Sequence, residues 1–433
     1  MKPEMSIHFN GRKPSAIRLA QLKFAERTDR TKAVNTAIGN VSLPVHPSIA
    51  QRMFNLNKKE SPFHKGVVKY TATAGMAETN EAFLNIIASS GFSTAGLYSQ
   101  ITNGGSQAME MVLLGVCGKA GTGEKPLLLI DAAYTNYNAL AARIGRRTIS
   151  VTRTLNENGE FSLPSVDEIE ALIKKENPGA LVVIPYDNPT GQFYNQKTMI
   201  KLAEICVRNN IWMISDEAYR ELFYTGEQTS SIWGITDKEV PGIEGRRISI
   251  ETSSKVWNGC GLRIGALITD RKDFHDRSVA ECTADLCANA IGQYIFGALA
   301  EEKHSDLKEW YKEQRAYYHK MLISLTGEFR ELIPGVIVSN PDASIYSVVD
   351  VRNVVDDNFN ALDFVLYCAQ KGKVDINGEE LTLLVAPLAG FYSLPEGAVN
   401  PGRTQMRIAY VESAEKMALV PKLFASLLNQ YMD

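Results

Sequence analysis

Between residues 127 and 216 the chain alternates short apolar runs with amphipathic stretches of helical period, and this alternation constrains the fold more than any single motif. The runs are LLLID (127–131), RTISV (147–151), ALVVIPY (180–186) and IWMISD (211–216). Helical patterns occupy 136–144, 166–175 and 196–209. Strands that read as continuous apolar runs are buried on both faces, so the helices between them must cover a mainly parallel sheet. The expectation is an α/β chain with that sheet sandwiched by helices. In such a sheet function belongs at the carboxyl ends of the strands. Those ends carry Tyr134, Asn188, and Asp216 with Tyr219.

Two further strand-like runs, RISIE (247–251) and IGALI (264–268), flank a loop that bears Lys255. The stretch 251–265 reads ETSSKVWNGCGLRIG, with Thr252, Ser253 and Ser254 before the lysine and Arg263 eight positions after it. An ε-amine can form a Schiff base with a carbonyl, and neighbouring hydroxyls with a guanidinium have the parts to hold a phosphate beside it. Taken alone, Lys255 also fits a solvated lysine. Upstream, ITNGGSQAMEMVLLGV (101–116) joins a Gly-Gly-Ser turn to apolar positions Met109, Val112, Leu113 and Val116, the spacing of a buried helix face. Backbone amides at such a helix start, bare of side chains at Gly104 and Gly105, favour an anion. The stretch GKAGTGEK (118–125) has the look of a phosphate loop but departs from it, because Glu124 follows the last glycine and no apolar helix begins there.

With 433 residues and 45% hydrophobic content, at roughly 100 to 200 residues per domain, the chain has material for two or three domains. The expected division is an N-terminal arm over 1–61, a large domain over 62–315 and a smaller α/β domain over 316–433. The arm contains AIGNVSLPVHPS (37–48), whose Gly39, Pro44 and Pro47 suit an extended crossing segment. Tyr70 lies on a loop leading into a helical pattern that starts near Met76. A formal net charge of −3 without blocks of like charge gives no footprint for nucleic acid. No apolar run reaches the length of a membrane span or signal core, so no membrane partner is expected and the chain reads as cytoplasmic. Six cysteines without CxxC spacing and six histidines without HxxxH or HExxH pairing offer neither a disulfide framework nor a metal site.

Set side by side, these residues supply a lysine nucleophile, a carboxylate, a phenol, an amide, an aromatic plane and a glycine-rich anion cradle. In that set, and in its order along nearly the whole chain, the sequence resembles the class I/II aminotransferases, enzymes of fold type I that use pyridoxal 5′-phosphate. Lys255, Arg263 and Gly265 resemble the family pattern SxxK-x7-RxG, with Thr252 in the place of the usual serine. The resemblance implies that Lys255 carries the cofactor and later moves the proton, while Arg263, Ser254, Thr252, Gly105 and Ser106 hold the phosphate. It implies that Asp216 pairs with the pyridine nitrogen, that Tyr219 and Asn188 share the phenolic oxygen, and that Tyr134 stacks on the ring, although the family's proline two residues earlier is Ala132 here.

Tyr70 matches the tyrosine that reaches the phosphate of a neighbouring subunit, implying a homodimer with shared sites. Gly39 resembles the backbone element that closes over the substrate. Arg407, in TQMRIAYV, resembles the arginine that clamps the substrate α-carboxylate. The implied reaction moves an amino group from an L-amino acid to a 2-oxo acid such as 2-oxoglutarate. Apolar and aromatic residues in DASIY (342–346) and PLAGFY (387–392) point to aromatic donors, aspartate or both. A fold type I lyase or synthase would need the same strand-end set. A non-catalytic sensor would need a DNA-binding module, for which 1–61 is too short and too broken by Pro and Gly.

Overall fold

Uninterrupted apolar side chains become strands in the computed structural model, which describes residues 3–118, 121, 123–394 and 397–433. In chain order the strands are Lys32–Asn35 (β1), Tyr98–Thr102 (β2), Leu127–Asp131 (β3), Thr148–Thr152 (β4), Ala180–Val183 (β5), Trp212–Asp216 (β6), Arg247–Thr252 (β7) and Gly265–Thr269 (β8). They continue as Ile337–Val338 (β9), Tyr346–Asp350 (β10), Val374–Ile376 (β11), Glu379–Leu384 (β12), Ala386–Pro387 (β13) and Gln405–Ala409 (β14). Seven of them form one sheet in the order β2-β8-β7-β6-β5-β3-β4. Its members from β4 to β7 pair in parallel, and β8 runs antiparallel to both of its neighbours. Every residue of β3, β5, β7 and β8 is buried, as a sheet covered on both faces requires.

The covering helices start where the sequence supplies caps. Ser165 and Glu168 close a reciprocal capping box on helix Val166–Glu176, and Asn195 caps Gln196–Arg208. A helix of 29 residues, His304–Leu332, buries Leu307, Tyr311, Gln314, Tyr318, Met321, Leu322, Leu325 and Phe329 on one side. The boundary expected between 315 and 316 falls inside it. Residues 119, 120 and 122 of the 118–125 stretch lie outside the described residues. Among those described, no helix is long and apolar enough to cross a membrane.

The N-terminal segment is more regular than its Pro and Gly content implies. Ser15 caps a helix at Ala16–Ala25, and a second helix, Pro47–Phe54, begins with the proline at a position that needs no amide hydrogen. Between them β1 lies parallel to β12, with Lys32 opposite Leu381. That partner comes from the far end of the chain, so the strand is built from long-range pairing. Residues 37–46 contain no helix or strand, in keeping with a crossing segment. β11 lies antiparallel on the other side of β12, and the four remaining strands form a second small sheet, ordered β13-β14-β10-β9.

Where β6 and β7 end side by side, Asp216 pairs in register with Ile250. The adjoining positions carry an ionic network: Arg220, 2% exposed, sits 2.5 Å from Glu217 and 2.5 Å from Glu251. Hydroxyls of Ser215 and Ser231 and the Ile232 amide donate to Glu217, and Ser249 donates to Glu251. Burial pushes the Glu251 carboxyl up to about 7, although Arg220 pulls against that shift. Removing the guanidinium would strand two carboxylates without a cation. Arg220→Met is therefore expected to cost about 3 to 5 kcal/mol, measured as a lower urea midpoint with an unchanged slope. A loss below about 1 kcal/mol would show that the network does not stabilise the fold.

Candidate active site

Lys255 stands on the loop after β7 and is half-buried. Its Nζ donates to the Gly39 carbonyl, which brings the crossing segment down onto the carboxyl edge of the sheet. No side chain fits at Gly39: a Cβ would lie 2.2 Å from Tyr346 Oη and 2.8 Å from Lys255 Nζ. Asp216, at the end of β6, accepts from Tyr137 Oη at 2.5 Å and from the Ala218 amide at 3.2 Å. Burial raises its pKa and the Tyr137 hydrogen bond opposes the rise. The donors that reach this carboxylate are neutral.

Asn188 Nδ2 donates to Tyr219 Oη at 3.3 Å, and Tyr219 Oη lies 2.9 Å from Tyr346 Oη. Arg407, buried on β14, donates to Asn188 Oδ1 at 2.9 Å and to the Ala37 carbonyl at 2.7 Å. Its Nε is buried with no partner. The guanidinium lies 4.4 Å from the ring centre of Tyr346 and 5.2 Å from that of Phe391. Asn188 is itself held by its neighbour: Asp187 pairs with Arg153 at 3.1 Å, and Arg153 donates to the carbonyls of Asp131 and Ile130 and to Tyr194 Oη. One buried guanidinium thus ties the end of β3, which leads to Tyr134, to the loop that carries Asn188.

On the opposite side of the cleft, helix Gly105–Cys117 begins after Gly104, whose φ of 75° is left-handed. A Cβ there would lie 2.4 Å from Arg263 Nη2, so glycine keeps the guanidinium against the helix start. Thr252 Oγ1 and Ser254 Oγ lie 2.7 Å apart. Tyr134 Oη accepts from Asn136 Nδ2 at 2.8 Å, and burial pushes its phenol up to about 12. Gly105, Ser106, Tyr134, Asn188, Asp216, Tyr219, Thr252, Ser254, Lys255 and Arg263 line one cleft with a cavity volume of about 150 Å³.

Of the residues singled out from sequence, Tyr70 alone stands apart. It is 78% exposed and does not line its own chain's cleft. Tyr137 and Tyr346 were not singled out as site residues. Tyr137 could have been found as the second tyrosine of DAAYTNY, one helical turn beyond Tyr134. Tyr346 was legible only as the aromatic residue of the DASIY pocket stretch, and the pairing of β10 with β14 is what brings it against Arg407. Among the described residues no group of three or more His, Cys, Asp or Glu is placed to hold a metal ion.

The family described as aminotransferase class I and II matches residues 46–378. Gly39, Phe391 and Arg407 lie outside the matched span, whereas Lys255, Asp216, Tyr219, Asn188, Tyr134 and Arg263 lie inside it. The chain is 26% identical over 297 residues to an aspartate aminotransferase of Thermotoga maritima, covering 66% of this chain and 71% of that one. It is 24% identical over 368 residues to an aspartate aminotransferase of Sulfurisphaera tokodaii, covering 83% and 85%. A solved aspartate aminotransferase mutant of Thermus thermophilus superposes with a TM-score of 0.79 at 19% identity, covering 98% of this chain and 100% of that one. N-succinyldiaminopimelate aminotransferase of Mycobacterium tuberculosis gives 0.79 at 18% identity with the same coverage. The fold is that of the fold type I enzymes, and with a family match over most of its length the chain belongs to the class I and II aminotransferases, a family of pyridoxal-phosphate-dependent enzymes.

Proposed function

We propose that this chain transfers an amino group from an L-amino acid to a 2-oxo acid, with pyridoxal 5′-phosphate held at Lys255. The observation that carries the reading is the convergence of Lys255, the neutral-donor carboxylate of Asp216 and the Asn188–Tyr219 pair on one cleft, opposite a helix start and Arg263. The donor set fits the group. A buried carboxylate with neutral donors suits a cationic ring nitrogen. The amides of Gly105 and Ser106, the hydroxyls of Thr252 and Ser254, and Arg263 suit a phosphate. When bound, pyridoxal 5′-phosphate supplies an aldehyde carbon for amine exchange and a protonated ring that draws electrons from the substrate Cα.

The chain's own residues do the rest. Asp216 keeps the ring nitrogen protonated, and Tyr137 fixes the carboxylate's orientation. Asn188 and Tyr219 would hold the phenolic oxygen, and Tyr134 would supply an aromatic face to the ring. Lys255, once released by the substrate amine, would act as base at Nζ toward the substrate Cα proton and then as acid, returning it across the intervening nitrogen in a 1,3 shift. Arg407, held by Asn188 and the Ala37 carbonyl, offers a planar fork to the substrate carboxylate, and Gly39 closes the segment above it. Tyr346, Phe391 and Tyr134 give the cleft an aromatic wall, which supports aromatic donors. The relatives named for aspartate support aspartate as donor, and 2-oxoglutarate is the acceptor proposed. β-Elimination would use the same groups, so the diagnostic observation is conversion of bound cofactor to its amine form by an amino acid alone, without release of ammonia.

The assembly proposed is a homodimer in the cytoplasm. Exposed Tyr70 and Val68, with Arg263 open to solvent, support a partner copy whose Tyr70 reaches the phosphate. Six unpaired cysteines suit a reducing compartment.

Lys255→Ala is expected to abolish borohydride fixation of pyridoxal 5′-phosphate to the chain and to lower turnover by roughly three or more orders of magnitude. Fixation at another lysine with turnover retained would overturn the assignment. Tyr70→Phe is expected to weaken cofactor retention roughly 10- to 100-fold, the range for a hydrogen bond to a charged group. Mixing Lys255→Ala chains with Tyr70-truncated chains tests the shared site: up to about half of wild-type activity per hybrid dimer returns under two-fold symmetry. No recovery despite demonstrated subunit exchange would confine Tyr70 to its own chain.

A further inference from the structure

Ser48 is the second residue of the helix Pro47–Phe54, so its amide has no carbonyl of the helix to bind, and the side chain of His46 satisfies it instead. His46 Nδ1 accepts from the Ser48 amide at 3.3 Å, while the His46 carbonyl takes the Ala50 amide at 3.0 Å as the first turn closes. Serine, threonine, aspartate and asparagine are the usual residues for this task. A histidine performs it only as the tautomer that keeps its hydrogen on Nε2, because a charged imidazole has two donors and no acceptor.

His46 is 5% exposed, and its ring packs edge-on with two indoles, its centroid 6.0 Å from that of Trp257 and 5.1 Å from that of Trp310. Trp257 is two residues beyond Lys255, and Trp310 Nε1 donates to the carbonyl of Val256 between them at 2.9 Å. The crossing segment runs from the cleft straight into this enclosure. Going back from His46, the Pro44 carbonyl accepts from Asn258 Nδ2 at 2.9 Å, the Gly39 carbonyl from Lys255, and the Ala37 carbonyl from Arg407 at 2.7 Å. Those three anchor points use carbonyls, which remain acceptors at any pH. The fourth uses an imidazole nitrogen.

We propose that His46 is a positioning residue that latches the crossing segment according to pH: neutral, it caps the helix and holds residues 37–46 over the cleft, and protonated at Nδ1 it releases them. One proton moves from water to Nδ1, and the hydrogen bond from the Ser48 amide gives way to two opposed donors. The charge also arrives at a helix start, where the dipole disfavours a cation. The consequence for amino transfer rests on the function proposed above, whereas the release of the segment does not.

The surroundings set the direction of the titration. Burial lowers His46 below the usual histidine value, and the carboxylates of Glu302, Asp306 and Glu313 oppose the drop without cancelling it. Glu302 precedes the helix His304–Leu332 and accepts from Ser48 Oγ, and the other two lie on that helix. The loop after β7 faces the ring with Trp257, which carries no charge. A histidine lowered in the folded chain contributes fully above the usual histidine pKa, and its contribution is lost as pH falls through the lowered value. The latch is therefore closed at neutral pH and opens in acid.

The test uses the full chain, with and without cofactor. In an imidazole NMR titration, the signal lost in His46→Asn is expected to titrate below the usual histidine range. A protonated imidazole against an indole quenches its fluorescence, so tryptophan emission is expected to fall with the same midpoint. That step is expected to vanish in His46→Asn, whose Oδ1 offers Ser48 an acceptor at every pH. Deuterium uptake of peptides covering 37–54, corrected for intrinsic exchange, is expected to rise roughly 2- to 30-fold across the step in the unaltered chain, the range for loss of an N-cap, and to stay level in His46→Asn. With cofactor bound, the ratio of activity below the step to activity at neutral pH is expected to be higher in His46→Asn than in the unaltered chain. A His46 signal at or above the usual histidine value would overturn the proposal, as would emission or uptake that ignores the step or follows it equally in His46→Asn. An equal activity ratio would overturn the latch's role in amino transfer. If His46→Asn fails to fold, His46→Thr supplies a cap of the same kind, and the titration, emission and uptake of the unaltered chain still decide. Failure of borohydride fixation at Lys255 would remove the parent reading and leave the cofactor-free emission and uptake untouched.

Discussion

Two carboxylates share one guanidinium beneath the active edge of the large sheet, and the geometry above them depends on that sharing. Glu217 follows Asp216 directly, and Glu251 directly precedes Thr252 at the end of β7. Arg220 binds both at 2.5 Å. Charges this deep are stable only when paired and fully hydrogen-bonded, and the three serine hydroxyls and the Ile232 amide complete the set. The consequence is positional. With β6 and β7 locked at this level, Asp216 and Lys255 emerge from adjacent strands at a separation set by the sheet, independent of the loops' own preferences. A second buried guanidinium, Arg153, does the same for the loops that carry Tyr134 and Asn188.

The crossing segment closes the site from the other side through backbone groups. Thr36 donates its amide to the Leu384 carbonyl, and its own carbonyl accepts from the Ala409 amide. The next carbonyls along, those of Ala37 and Gly39, accept from Arg407 and Lys255. A single short stretch therefore contacts both small sheets and two of the cleft's cationic groups, Lys255 and Arg407. Its lack of side-chain bulk at Gly39 is what lets the three come together.

The large sheet was legible because its signal is local. Runs such as LLLID and ALVV declare burial on both faces, and the strand ends then place Asn188, Asp216 and Lys255 on one edge by topology alone. What the sequence hid was long-range. The strand β1 exists because β12 offers it a parallel edge, and nothing within KAVN distinguishes it from an extended linker. The helix Ala16–Ala25 buries only Ala20 completely, so its apolar periodicity is faint. Tyr346 reaches the cleft through antiparallel pairing of β10 with β14, a register that no local pattern encodes. The aromatic character of DASIY and PLAGFY was visible, whereas the contact of Phe391 and Tyr346 with the Arg407 guanidinium was not.

The helix His304–Leu332 is, at 1.5 Å per residue, a rod of about 44 Å. Near one end Trp310 Nε1 donates to the Val256 carbonyl, the residue after Lys255, and Gln314 accepts from Asn258 on the same loop. Near the other end Phe329 packs against Phe424 of the C-terminal helix. An unbroken helix bends only gently. Tilting of the C-terminal elements would therefore arrive at the lysine loop as a lever motion. The backbone that holds Lys255 is coupled mechanically to a part of the chain that touches neither the cleft nor its contents.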